Sequence, residues 1–214
     1  TIQPDGNTYH QSWILSVISD LKNDSKNKGI LLYIDSPGGT VYDSDLTYLA
    51  LEDYKTTGKP VNAYMGSLAA SGGYYISCAA DKIFANRNTL TGSIGVIAGS
   101  SIDLTKFFEK NGIKYTTVHA GKNKNMGNYN EPFTKEQQQI MQSIADECYN
   151  QFTDIVSMSR DIPKKKLIPL CDGRIYTANQ AVKNGLIDKI CSWDDAFELT
   201  KYAADCPDAK LVTY

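Results

Sequence analysis

An unbroken apolar run, Ile30-Leu31-Leu32-Tyr33-Ile34, stops at Asp35-Ser36-Pro37-Gly38-Gly39 and gives way to a stretch with Leu46, Leu49 and Tyr54 at helical spacing. A run this short, apolar at every residue and ended by turn formers, reads as a strand covered on both faces. The spacing that follows reads as a helix, which Gly58-Lys59-Pro60 ends. The cycle then repeats. Val61 to Tyr64 is expected to be a short strand, Ala69 to Ala80 a helix of small residues, and Lys82 to Ala85 another strand. Strands that alternate with helices predict a parallel or mostly parallel α/β core, because parallel neighbours need a crossover between them.

The rest of the chain extends this pattern. Trp13, Ile14, Val17, Ile18 and Leu21 predict a helix before Gly29. Lys114 to Val118 reads as a strand ending at His119. Ile140, Ile144, Cys148, Phe152 and Ile155 lie on one face of a long helix from Lys135 to Arg160, closed by Pro163. A short helix from Ala178 to Lys183, a strand from Leu186 to Ile190 and a last helix from Trp193 to Ala204 complete the series. No linker or low-complexity tract divides the chain, and 214 residues suffice for one α/β core but not for two ordinary ones. A single domain over 1–214 is expected.

Composition removes several function classes. With 22 Lys and Arg against 24 Asp and Glu, no broad basic face is available for a phosphate backbone, so nucleic acid is not an expected partner. The run Lys164-Lys165-Lys166 reads as a solvated loop. Five cysteines without a CxxC pair fit neither a disulfide framework nor a zinc cluster, and most are expected to be small buried side chains. No apolar stretch reaches the roughly 20 residues of a membrane span, and no signal segment opens the sequence.

Two segments hold candidate chemistry. Asp35-Ser36-Pro37-Gly38-Gly39 ends a strand ahead of a helix, where open α/β sheets place ligands, and its glycines let backbone N–H groups approach closely. Such donors suit a phosphate or an oxyanion, but the chain lacks GxGxxG, and Gly58-Lys59 and Gly121-Lys122 are not followed by Ser or Thr. Gly66 to Tyr75, GSLAASGGYY, places Ser67 and Ser71 ahead of a helix, where either is a candidate nucleophile or an ordinary cap. The GxSxG elbow motif is absent. A serine nucleophile needs a base. The histidines are His10 and His119, and the alternative is a lysine made neutral by burial, for which Gly121-Lys122-Asn123-Lys124 offers two.

Together LLYIDSPGG at 31–39, MGSLAASGGYYIS at 65–77, TGSIGV at 91–96, GKNKNMG at 121–127 and DGRIYTANQAVKNGLIDKI at 172–190 resemble the signal peptide peptidase A (SppA) family, from about Gly29 to Ile190. The resemblance implies an α/β Clp protease/crotonase-like fold of repeated β-β-α units and a serine peptidase with a Ser–Lys dyad. By it Ser71 is the nucleophile, Lys124 the general base with Lys122 as its neighbour and rival, and Ser93 the residue that orients the lysine. Gly38 and Gly72 supply the oxyanion hole, and Gly39 and Val41 contact substrate. No cofactor or metal is called for. The resemblance further implies apolar peptide substrates, among them cleaved signal peptides, and a homo-oligomeric dome-like ring with sites between subunits. It places the protein at a bacterial cell membrane, with a hydrophobic strand and membrane anchor expected upstream of Thr1-Ile2. Competing readings are a Clp-like or capsid-maturation processing peptidase with a Ser-His-Asp triad, a non-catalytic crotonase-fold scaffold, and an acyl-CoA enzyme.

Overall fold

The computed structural model describes residues 1–6 and 9–214. Contacts within the chain group it into two units, 1–95 with 151–214, and 96–150.

The first unit is built on a six-stranded sheet. Its elements begin with helix α1 (Gln11–Asn23), strand β1 (Ile30–Ser36), helix α2 (Val41–Lys55) and strand β2 (Val61–Ala70). They continue with α3 (Gly72–Ser77), β3 (Lys82–Ala85) and β4 (Leu90–Gly92). After the second unit come β5 (Ile175–Thr177), α7 (Ala178–Lys183), β6 (Lys189–Ile190) and α8 (Trp193–Ala203). Strand order is β5-β4-β2-β3-β6, and β1 pairs β2. Every pairing is parallel except β4 with β5. The expected mostly parallel core is therefore observed, and its central strand β2 is buried along nearly its whole length, as a strand covered on both faces must be.

β2 is longer than its periodicity suggests, and the reason is a bulge. Ile34 opposes Met65 and Ser36 opposes Ala69, so Gly66, Ser67 and Leu68 face Asp35 alone. The Asp35 carboxylate satisfies the displaced groups, accepting from Ser67 Oγ at 2.8 Å and from the Leu68 N–H at 3.1 Å. Before the bulge β2 pairs β3, and after it β4. Ala69 and Ala70 belong to this second half of the strand, so the expected helix from Ala69 to Ala80 shrinks to the six residues of α3.

Two further expectations change in this unit. The strand from Leu186 is only Lys189–Ile190, because the Asp188 carboxylate takes the Ile83 N–H at 2.8 Å where a backbone carbonyl would in a longer ladder. Lys164–Leu167 is a one-turn helix, α6, rather than a loop, and Lys164 pairs Asp154 at 2.6 Å. Of the cysteines, Cys78 and Cys171 are buried and the other three half-buried, fewer than expected.

Arg160, at the end of helix α5 (Lys135–Arg160), is half-buried with its side chain largely covered, and donates to Asp188 Oδ2 at 2.9 Å and to the Gly185 carbonyl at 2.9 Å. Burial raises the Asp188 carboxyl, but hydrogen bonds from Arg160 and Ile83 and the nearby positive charge outweigh it and hold it below its ordinary value. A depressed folded value adds stability above the ordinary carboxylate range, and that stability is lost as pH falls through the folded value. Asp188→Asn is therefore expected to cost about 2–3 kcal/mol at neutral pH, read from the urea midpoint, with the gap to wild type closing below about pH 4. A neutral-pH change under about 0.5 kcal/mol would show that this pair does not support the fold.

The second unit contains α4 (Thr105–Lys110) and the part of α5 up to Asn150. Phe108, Tyr115 and Tyr129 pack edge and face at 5.3–6.1 Å. The expected strand Lys114 to Val118 does not form: among the described residues it has no strand partner, and Tyr115 is held by its ring contacts instead. Among the described residues of this unit no apolar side chain is fully buried, while Ile97 is 86% and Val118 96% exposed. Among the described residues, no helix of the chain is long and apolar enough to cross a membrane.

Candidate active site

Ser71 stands alone between the end of β2 and the start of α3, at φ 52° and ψ −119°. A non-glycine residue there carries strain of about 1–3 kcal/mol, which surrounding structure must hold in place. Two hydrogen bonds do so: the Ser71 N–H donates to the Gly92 carbonyl at 2.8 Å, and the Ser71 carbonyl accepts the Tyr75 N–H at 2.9 Å. This is a sharp strand–serine–helix elbow, made without the GxSxG motif.

Each neighbouring glycine has its own steric reason. A Cβ on Gly38, whose φ is 109°, would lie 2.7 Å from Ser71 Cβ and 2.8 Å from the Gly72 nitrogen. A Cβ on Gly72 would lie 2.3 Å from Ser44 Oγ, which is fixed by donating to the Thr40 carbonyl at 2.7 Å. A Cβ on Gly39 would lie 1.7 Å from the Ile2 carbonyl oxygen. The turn after β1 thus presses on the elbow from one side, and the entering chain presses on the turn from the other.

The hydrogen bonds of that turn separate the two glycines. The Gly38 N–H is donated to Ser36 Oγ at 3.1 Å, and the Gly38 carbonyl accepts the Ile2 N–H at 2.9 Å. The Thr40 N–H is donated to the Ile2 carbonyl at 3.0 Å, forming a parallel bridge between Ile2 and Gly39. Gly38 is buried and Gly39 exposed. Among the described residues the Gly39 N–H has no partner, and the Gly39 nitrogen lies 3.1 Å from where a Gly72 Cβ would be. Val41 follows as the first residue of α2, whose cap is Thr40.

Ser93 follows β4 at φ 51°, its N–H donated to the Arg174 carbonyl at 2.7 Å. Because Ala70 pairs Gly92, the strand ends carrying Ser71 and Ser93 are neighbours in the sheet. Ser67 is committed elsewhere, its hydroxyl on Asp35. His10 stands at the start of α1 and is exposed. In the second unit the exposed His119 ring sits 3.2 Å from the Gly121 carbonyl. There Lys122 pairs Glu136 at 2.5 Å, which holds the Glu136 carboxyl below its ordinary value. Lys124 is exposed, its N–H donated to the Gly121 carbonyl at 3.0 Å, and among the described residues its amine has no acidic partner. The loop is pinned on both flanks of Lys124, by Lys122 on Glu136 and by Asn125 Nδ2 on Glu131 at 2.6 Å. Among the described residues no cluster of His, Cys, Asp and Glu could hold a metal ion.

Sequence reasoning missed the parts played by Ile2, Ser36 and Ser44. Only Ser36 left a local signal, a hydroxyl two residues before a glycine in a proline turn.

A mostly parallel sheet whose central strand ends in a strained serine, with a diglycine turn against it, defines a Clp-type α/β fold. A ClpP1 mutant from Listeria monocytogenes has the same fold, with a TM-score of 0.60 over 87% of this chain and 86% of that one at 16% identity. The model of peptidase family S49 matches residues 53–206, and the chain belongs to that family. Its relatives include a protein of Enterococcus faecium named "Putative signal peptide peptidase SppA", 35% identical over 96% of this chain and 60% of the relative. The Arabidopsis thaliana "Serine protease SPPA, chloroplastic" is 35% identical over 94% of this chain and 29% of its own. The chain thus spans about three fifths of the Enterococcus protein.

Proposed function

We propose that this chain is a serine endopeptidase in which Ser71 is the nucleophile and Lys124 the general base. The observation that carries the reading is the elbow, a serine held at φ 52° with, among the described residues, uncommitted N–H groups of Gly39 and of the first turn of α3 beside it. Ser71 Oγ attacks the peptide carbonyl while Lys124 accepts its proton. The lysine then delivers that proton to the departing amine, and water repeats the sequence to release the acyl group. Ser93 keeps the lysine amine aligned. The Gly39 and Gly72 N–H groups stabilise the oxyanion, each by roughly 3–4 kcal/mol. Gly39 takes this part in preference to Gly38, whose N–H is spent on Ser36.

Gly39 also turns its C=O away from Ile2, as alternation in a strand requires, so an extended peptide finds a main-chain acceptor there, with Val41 flanking it. The substrates are apolar peptides, among them signal peptides left after precursor cleavage at a bacterial cell membrane. The name of the Enterococcus relative supports signal peptides as substrates. The exposed apolar residues of 96–150 support a homo-oligomer, a dome-like ring in which neighbouring copies contribute serine and lysine. A fluorophosphonate added to wild type and to the Ser71, Lys122 and Lys124 alanine variants tests the reading by intact mass. One adduct requiring Ser71 and Lys124 is expected; an assembled oligomer that stays unlabelled overturns it.

A further inference from the structure

We infer that Ser36 is a positioning residue for the oxyanion site, its hydroxyl fixing the Gly38 peptide so that the next N–H, that of Gly39, faces the reacting carbonyl. The inference rests on the peptidase reading and adds a residue to it. Ser36 ends β1, where it is paired with Ala69 in the sheet, so its backbone is fixed against β2, the strand that leads into Ser71. From there Ser36 Oγ accepts the Gly38 N–H at 3.1 Å and stands 3.4 Å from the Gly38 carbonyl as a donor. The same carbonyl takes the Ile2 N–H at 2.9 Å, and the Thr40 N–H goes to the Ile2 carbonyl at 3.0 Å.

Across Gly38, Gly39 and Thr40, then, the N–H and C=O groups on either side of Gly39 are tied down. The N–H left over is the one beside Gly72. Ile2 makes its contribution through backbone atoms alone. Ser36 is the side chain in the arrangement, and so the part that substitution can remove. Gly38 has no Cβ and sits at φ 109°, so without the Ser36 hydroxyl its N–H loses its acceptor and the peptide that carries the Gly39 N–H is held by the Ile2 bond alone, with more room to turn. Rotation re-aims the Gly39 N–H. An oxyanion donor acts only when aimed in advance, and losing one lowers kcat by about 100- to 1000-fold in known cases. Partial misaim is expected to cost less.

Ser36→Ala is expected to lower kcat by roughly 30-fold with KM within about twofold of wild type. Affinity for a peptide aldehyde, whose adduct with Ser71 carries the tetrahedral oxygen, should fall by a similar factor. The Gly38 amide should exchange its hydrogen at least about tenfold faster, and Ser36→Thr, which keeps the hydroxyl, should restore all three quantities. A Ser36→Ala protein with unchanged kcat and aldehyde affinity overturns the inference. So does a loss carried wholly by KM, which would give Ser36 a substrate-binding part, or one that Thr fails to rescue. Wild type that neither cleaves nor labels at Ser71 defeats the peptidase reading instead. The Gly38 exchange comparison needs no turnover, and unchanged exchange in Ser36→Ala overturns the positioning by itself.

Discussion

Lys124→Ala is expected to lower kcat for peptide cleavage by about four orders of magnitude, as Ser71→Ala does, while Lys122→Ala, His10→Ala and His119→Ala stay within a few-fold of wild type. Lys122 and Lys124 differ in what holds their amines: Lys122 Nζ is occupied by Glu136 at 2.5 Å, and among the described residues Lys124 has no such partner. The paired lysine also anchors the loop, so Lys122→Ala should loosen the base without removing it. The histidines lie elsewhere, His10 at the start of α1 with no side-chain bond to the helix and His119 against its own loop carbonyl. Because nucleophile and base act as one unit, the double variant Ser71→Ala with Lys124→Ala should be no slower than either single one. Loss of turnover in Lys122→Ala with activity kept in Lys124→Ala would reverse the assignment, and loss in His119→Ala would favour a Ser-His-Asp triad.

How much of this was legible in the letters depends on how local each cause is. β1, α2, α5 and α8 follow from spacing alone, because their apolar residues repeat with the period of the element they form. β2 does not, since its length depends on a bulge satisfied by Asp35 and on a change of partner, and Ala69-Ala70 suit a helix as readily as a strand. β4 and β5, with three residues each, have no period to read and exist through their pairing, as Thr91 with Tyr176. The serine of the elbow is visible as a candidate, but its backbone is not. That conformation is held by Gly38 and Gly72 fitting against Ser71 and Ser44, contacts between segments some thirty residues apart. Gly38 and Gly39 look alike in sequence, and what tells them apart is a hydroxyl on Ser36 and a peptide at Ile2.

Gly38→Ala should lose at least about 1000-fold in kcat/KM and about 2–4 kcal/mol of stability. Two costs add at this position. The first is conformational, since an L side chain at φ 109° is strained whatever room surrounds it. Gly58 isolates that cost: its φ is 76° and nothing lies within 4 Å of its Cβ direction, so Gly58→Ala should lose about 1 kcal/mol and no activity. The second cost is steric, and Gly58 does not share it. Its Cβ would meet Ser71 Cβ at 2.7 Å and the Gly72 nitrogen at 2.8 Å, groups of the elbow that have no flexible end to swing aside. Either the turn retreats, carrying the Gly39 N–H away from the oxyanion, or the elbow retreats, carrying Ser71 Oγ off line. Both routes remove activity, so the rate should fall further than the stability loss accounts for. Thermal midpoints and kcat/KM for the two variants decide it: if Gly38→Ala behaves like Gly58→Ala, turn and elbow do not meet as closely as the structure places them, and the oxyanion assignment falls with that contact.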